Sequence, residues 1–124
     1  MILGVGVDMT TVTRFHKWVE KPNMLDRFFN PAEKCFNPNT AFQIEHYAAR
    51  FAAKEAFGKA LGVGITGFNL RDVYIQSEDN GKPILKVEKT AEKKLKEIFG
   101  DCVLHVSLSH ERDNAIAVVI IEKR

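Results

Sequence analysis

The sequence predicts an α+β fold in which a mainly antiparallel sheet packs on a long central helix. Three observations carry this. A helical stretch from about Thr40 to Gly62 is apolar on most of its circumference, as expected of a buried spine. Short apolar runs elsewhere pair as hairpins, one turning at Asn80-Gly81 and one at the polar stretch His110–Asn114. Helices and hairpins also occupy separate parts of the chain, the pattern of an α+β architecture.

Taken in order, residues 1–9 read as a buried strand closed by Asp8. Gly4 and Gly6 interrupt it, and glycines inside a strand mark a bulge or a close approach of another group. Thr10 and Thr11 are placed to cap a helix running to about Lys21 and ended by Pro22. Its inward stripe is Val12, Phe15 and Val19. Arg14, Lys17, Trp18 and Lys21 form a basic face with one exposed aromatic. Such a face is either merely solvated or a partner site. Pro31, Pro38 and several asparagines divide residues 23–39 into short helical turns, Met24–Phe29 and Pro31–Phe36, joined by loops.

After the long helix, Gly64 and Gly67 turn the chain through 63–68. Strands begin at Val73 and Pro83 on either side of Asn80-Gly81. Residues 89–99 form an amphipathic helix with Ala91, Leu95, Ile98 and Phe99 inward, a lysine-rich outer face and Gly100 as its cap. Two further strands, 103–109 and 115–122, complete the chain. With no repeat or low-complexity tract, the 124 residues are expected to be a single domain, 1–124.

The balance of 18 basic against 16 acidic residues gives +2, too little to indicate nucleic acid. Cys35 and Cys102 belong to no metal-binding cluster and read as reduced packing residues of a cytoplasmic protein. No run approaches the roughly 18 apolar residues of a membrane span. The start of the chain lacks the basic lead of a secretory signal.

The charges on the long helix raise the question of chemistry. Glu55 and Lys59 are four apart in the favourable order for a surface ion pair, which accounts for both in the simplest way. Arg50 and Lys54, also four apart, repel each other. Either they splay into solvent or an anion such as phosphate lies between them. Ile44, Ala48 and Phe51 lie close to Glu55 around the helix, so its carboxylate emerges from an apolar strip and calls for a cation. Asp8, at a strand end, is the second carboxylate. It is either an N-cap or, with Glu55, one of two oxygen ligands for Mg2+, a hard cation that keeps waters and shares its shell with phosphates. Ser107, Ser109 and His110 end a strand together and offer donors to phosphate. His110 alone reads equally as a turn histidine.

Together these residues resemble the small holo-acyl-carrier-protein synthases, which are 4′-phosphopantetheinyl transferases. The resemblance runs in order through Gly4-Val5-Gly6-Val7-Asp8, the block Arg50-Phe-Ala-Ala-Lys54-Glu55-Ala-Phe-Gly-Lys59-Ala-Leu-Gly62, Gly81-Lys82-Pro83, and Val106-Ser-Leu-Ser109-His110-Glu111. Residues 22–45 are the unmatched part. The resemblance implies the fold of that family and a role for each matching residue. Asp8 and Glu55 would hold Mg2+ against the diphosphate of coenzyme A, with Lys59 on the phosphate and pantetheine side; these three form the catalytic set. Arg50, Lys54, Lys59, Gly62, Ser109 and His110 would bind coenzyme A. Arg14, with Lys17, Trp18 and Lys21, would meet the acidic helix of acyl carrier protein. In this family the active site lies between subunits of a homotrimer, so Ser109 and His110 would face a neighbour's Asp8 and Glu55.

The implied reaction is transfer of the 4′-phosphopantetheine arm to a carrier-protein serine, releasing adenosine 3′,5′-bisphosphate, in fatty acid biosynthesis. One departure stands out: many members carry glutamate where this chain has Thr11, which leaves the number of protein metal ligands open. Two other readings stand beside this one. A Mg2+-dependent nucleotide or pyrophosphate hydrolase would need the carboxylates and cations. A basic nucleic-acid module would rest on Trp18, Lys17, Lys21 and the lysines of 89–97, and leaves Asp8 and Glu55 without a purpose.

Overall fold

The structure, a computed structural model, describes residues 1–124. Strands β1 (Ile2–Thr11), β4 (Cys102–His110) and β5 (Asn114–Lys123) form one antiparallel sheet in the order β1-β5-β4. Strands β2 (Val73–Ser77) and β3 (Pro83–Val87) form a separate hairpin. The helices are α1 (His16–Val19), α2 (Pro22–Phe28), α3 (Thr40–Leu61) and α4 (Lys89–Phe99). Helix α3 lies against β1 and β5, and one core extends from it over β2, β3 and α4. A second core joins its N-terminal half to residues 12–29.

Local chemistry accounts for α3. The Asn39 side chain caps its start by accepting from the Phe42 amide at 2.9 Å. Gly62 ends it in the left-handed conformation at φ 84° and donates back to the Gly58 and Lys59 carbonyls. What brings β1 onto α3 is the absence of side chains. A Cβ on Gly6 would sit 1.9 Å from the Ala56 carbonyl oxygen, and one on Gly4 2.1 Å from that of Ala60. Ala52, Ala53, Ala56 and Ala60, all buried, keep the helix face equally slim.

Several expectations change. β1 runs three residues past Asp8, so Asp8 sits inside a strand rather than closing it. Its pairing with β5 continues to Thr11 opposite Asn114. The expected helix from Thr10 to Lys21 is a 3-10 turn, Val12–Phe15, followed by the single turn α1. Pro22 opens α2, its fixed φ suiting a helix start, and residues 31–33 are a 3-10 turn. Trp18 is not exposed. It is half-buried, with its ring centroid 4.8 Å from Phe15, 5.4 Å from Phe28 and 5.2 Å from Phe51. Ile98 points outward, while Ala91 and Leu95 hold α4 to the core. The first strand is buried on one side only. Gly6, Asp8 and Thr10 face α3, whereas Val5, Val7 and Met9 are 59, 51 and 67% exposed.

Candidate active site

Asp8 and Glu55 meet where β1 crosses α3. Strand alternation puts Asp8 on the helix side, nearly buried, and the glycine contacts at positions 4 and 6 set its depth. Lys59 turns toward Asp8 rather than Glu55. Its Nζ donates to Asp8 Oδ1 at 3.0 Å and to the Val7 carbonyl at 3.1 Å. Its side chain is half exposed, so the pair is only lightly held. The Glu55 carboxyl is pushed above the usual range by burial and then by the nearby charge of Asp8, against the pull of Arg14 and Lys59. Arg14 also donates to Thr10 Oγ1 at 3.4 Å, and its guanidinium stands 5.1 Å from the Phe51 ring centre.

This spot suits a hard cation. The charge of Asp8 raises the cost of ionising Glu55, an ammonium already stands beside Asp8, and the donors are all oxygen. No three His, Cys, Asp or Glu side chains gather anywhere as a ready-made site, so an ion here would keep waters or take substrate oxygens. Thr11, the position of the departure, is exposed and alternates to the other face of β1. Thr10 is the threonine on the Asp8 side, and it is buried.

Lys54 does not belong to this site. It is fully buried and pairs with Glu33 Oε1 at 2.6 Å, while its other donors reach the Val73 carbonyl at 2.6 Å and the Leu70 carbonyl at 3.0 Å. With every donor used and no exposure, it cannot touch coenzyme A. Of the two alternatives for Arg50 and Lys54, solvent does not reach Lys54, and the anion it meets is the carboxylate of Glu33 rather than a phosphate. Glu33 also accepts from the amides of Asn30 and Ile75, and so ties the unmatched segment to the core. The motif Asn30-Pro31-Ala32-Glu33, which forms a capping box, was the one local hint of an ordered carboxylate there.

Arg50 is half-buried on the side of α3 facing Glu33, Cys35 and Tyr47. Nη1 donates to the His46 carbonyl at 3.3 Å, and the buried Nε has no partner. Gly62 lies one turn beyond Lys59, and its nitrogen is committed to the helix cap. Ser109 and His110 are not brought to Asp8 and Glu55 within the chain. They sit at the far end of β4, two strands from β1. Being consecutive on a strand, they address opposite faces, with Thr10, Ala115 and His110 aligned on the helix side. There His110 Nδ1 lies 2.9 Å from Glu45 Oε1, ten residues along α3 from Glu55, or about 15 Å. Glu45 carried no signal in the sequence, because this contact joins residues 65 apart. The hollows also lie elsewhere. One of about 540 Å³ is bordered by Asn30, Arg71 and Lys89, one of about 410 Å³ by β3, α4 and β4, and one of about 420 Å³ lies between α2 and α3; none of these touches Asp8 or Glu55.

An α+β fold with paired carboxylates and a lysine at a strand–helix crossing defines a protein equipped to handle a phosphorylated substrate. Comparison with known proteins narrows this. The family description "4′-phosphopantetheinyl transferase superfamily" matches residues 4–119, and the chain belongs to that superfamily, among the holo-[acyl-carrier-protein] synthases. It is 45% identical over 123 residues to the holo-[acyl-carrier-protein] synthase of Treponema denticola, covering 98% of this chain and 99% of the relative. The crystal structure of the Neisseria meningitidis synthase superposes with a TM-score of 0.84 at 32% identity, covering 99% of this chain and all of the other. The Bacillus anthracis synthase, solved in complex with CoA (3′,5′-ADP), superposes at 0.79 with 29% identity and 100% and 99% coverage. Membership carries the activity with it: phosphopantetheine passes from coenzyme A to acyl carrier protein.

Proposed function

We propose that this chain performs the transfer at the Asp8–Glu55 crossing with Mg2+, in the cytoplasm and in the service of fatty acid biosynthesis. The observation that carries the reading is the convergence of Asp8, Glu55 and Lys59 on one point of the β1–α3 contact. Asp8 and Glu55 are the residues to hold the ion, which when bound would offset charge on the diphosphate oxygens. The carrier serine Oγ attacks the β-phosphorus of coenzyme A, the phosphoanhydride P–O bond breaks, and adenosine 3′,5′-bisphosphate departs with the bridging oxygen. Glu55, its carboxyl pushed up, is suited to accept the serine proton. Lys59, half exposed, supplies a mobile positive charge to the phosphates. Positioning does the rest, since aligning two bound substrates can supply roughly 7–11 kcal/mol.

Ser109 and His110 reach such a ligand only from another copy. The exposed apolar row Val5, Val7 and Met9, with the partly exposed Ile116 beside it on β5, supports burial of this sheet face in a homotrimer. Arg50, Ser109 and His110 then serve the nucleotide phosphates, and Gly62 borders the same ligand. Arg14, exposed beside the crossing, and the exposed Lys17 and Lys21 further along the chain suit the acidic carrier. Trp18 supports them as packing, which also removes the aromatic platform a nucleic-acid reading needs. Reduced Cys35 and Cys102 agree with the cytoplasm, and no helix is long and apolar enough to cross a membrane.

The test is to incubate the chain with coenzyme A, Mg2+ and unmodified carrier protein and weigh the carrier. A mass gain equal to the arm, dependent on Mg2+, is expected. Release of adenosine 3′,5′-bisphosphate without carrier would instead favour a hydrolase.

A further inference from the structure

His110 is held by a specific acceptor. In the chain its Nδ1 lies 2.9 Å from Glu45 Oε1, and Glu45 is the more buried of the two side chains, at 26% against 48% exposure. The carboxylate comes from α3 and the imidazole from the end of β4, so the contact locks the last residue of a hairpin arm onto the central helix. A carboxylate can only accept here, so Nδ1 carries the hydrogen and Nε2 is the ring nitrogen left for anything outside. A free imidazole at a hairpin tip would instead divide its hydrogen between two nitrogens and sample several rotamers.

We infer that Glu45 is a positioning residue: it accepts from Nδ1–H of His110 and aims Nε2 at the phosphates of coenzyme A, to which the doubly protonated ring donates from Nε2–H. This rests on the reading of His110 as a phosphate contact and adds to it the residue that makes that contact geometric. Glu45 itself touches no substrate in this account; an acid facing a phosphate directly would repel it.

The experiment is a double-mutant cycle on coenzyme A kinetics, joined to ¹⁵N NMR of the His110 ring. Glu45→Ala is expected to raise the KM for coenzyme A about tenfold, the order of one charge-assisted hydrogen bond, with kcat and the carrier KM little moved. Glu45→Gln keeps an acceptor for Nδ1–H and should recover much of the loss. In a His110→Ala background, Glu45→Ala should add nothing further. Without coenzyme A, the neutral His110 ring should show hydrogen on Nδ1 in the parent and lose that preference in Glu45→Ala. An equal KM penalty in both backgrounds, or an unchanged ring spectrum, overturns the inference. A His110→Ala variant with normal coenzyme A KM, in a chain that still transfers the arm, overturns the phosphate role of His110 and Glu45's with it. His110→Ala impaired while Glu45→Ala is normal removes Glu45 alone.

Discussion

Substituting Gly6 by alanine tests whether the closeness of β1 to α3 sets the site. The added methyl would lie 1.9 Å from the Ala56 carbonyl oxygen and 2.7 Å from the Ala60 nitrogen. Both are backbone atoms of a buried helix, so no side chain can swing aside. Ordinary contact needs about 3.4 Å or more, so strand and helix must part by more than 1 Å or bend locally. Overpacking into a close-fitting core costs about 1–3 kcal/mol, and a backbone clash belongs at or beyond the upper end. The same movement carries Asp8, two residues on, away from Glu55 and Lys59, and a 1 Å misplacement can cost about 10²-fold in rate. The assay pairs urea unfolding with kcat/KM for arm transfer. A drop of about 3 kcal/mol and a rate loss near a hundredfold in the folded protein are expected. A variant with parental midpoint and parental rate would refute the argument that glycine contact positions the carboxylate.

Lys54→Met leaves Glu33 buried and unpaired and should cost about 3–5 kcal/mol, while Glu33→Gln with Lys54→Met recovers much of it. Coenzyme A KM should stay put in whatever folds; a selective rise in that KM would return Lys54 to the ligand. His46 is lowered from 6.5 to about 4, chiefly by burial and then by Arg50. Its neutral form therefore favours the fold above pH 6.5, and that contribution is lost as pH falls toward 4. At 1.36 kcal/mol per pH unit the loss is about 3 kcal/mol. Denaturant midpoints across that range should flatten in His46→Gln, and an unchanged acid limb would contradict the assignment. Arg14→Glu should raise the carrier KM far more than the coenzyme A KM, with carrier binding weakening as salt shortens the Debye length from about 10 Å; equal effects on both substrates would break the docking assignment.

Much of this fold was legible because its signals are local. Asn39, Gly62 and Gly100 mark helix ends by their own conformations, and the turn at Asn80-Gly81 fixes the register of Val73 to Val87. The site was legible in part. Asp8 and Glu55 stood out as acids in apolar surroundings, and burial does raise Glu55. Lys54 was misread because a lysine four residues from an arginine looks the same whether it meets solvent, phosphate or a carboxylate 21 residues upstream. Trp18 was misread for a similar reason: a broken helix turned its ring onto Phe28 and Phe51, and periodicity assumes an unbroken one. The outer row of β1 shows the remaining limit. An apolar run announces that Val5, Val7 and Met9 seek cover without saying whether this chain or another supplies it.

The central claim is that Asp8 and Glu55 grip one divalent ion together. Mn2+ binding in the presence of coenzyme A, measured for the parent, Asp8→Asn and Glu55→Gln, tests it most directly. Because burial and Asp8 hold the Glu55 carboxyl high, ionising Glu55 costs the fold stability as the pH rises from the ordinary carboxyl value through the raised one, and the cost is complete above it. Glu55→Gln should therefore melt no lower at neutral pH, and lost binding would not be lost structure. Loss of a supporting contact alone typically costs about 10–100-fold in metal affinity, so removing either ligand should cost at least tenfold. One ion bound by the parent and weakened that much in both variants is the expected result. Undiminished binding in either would show that the two acids do not share an ion.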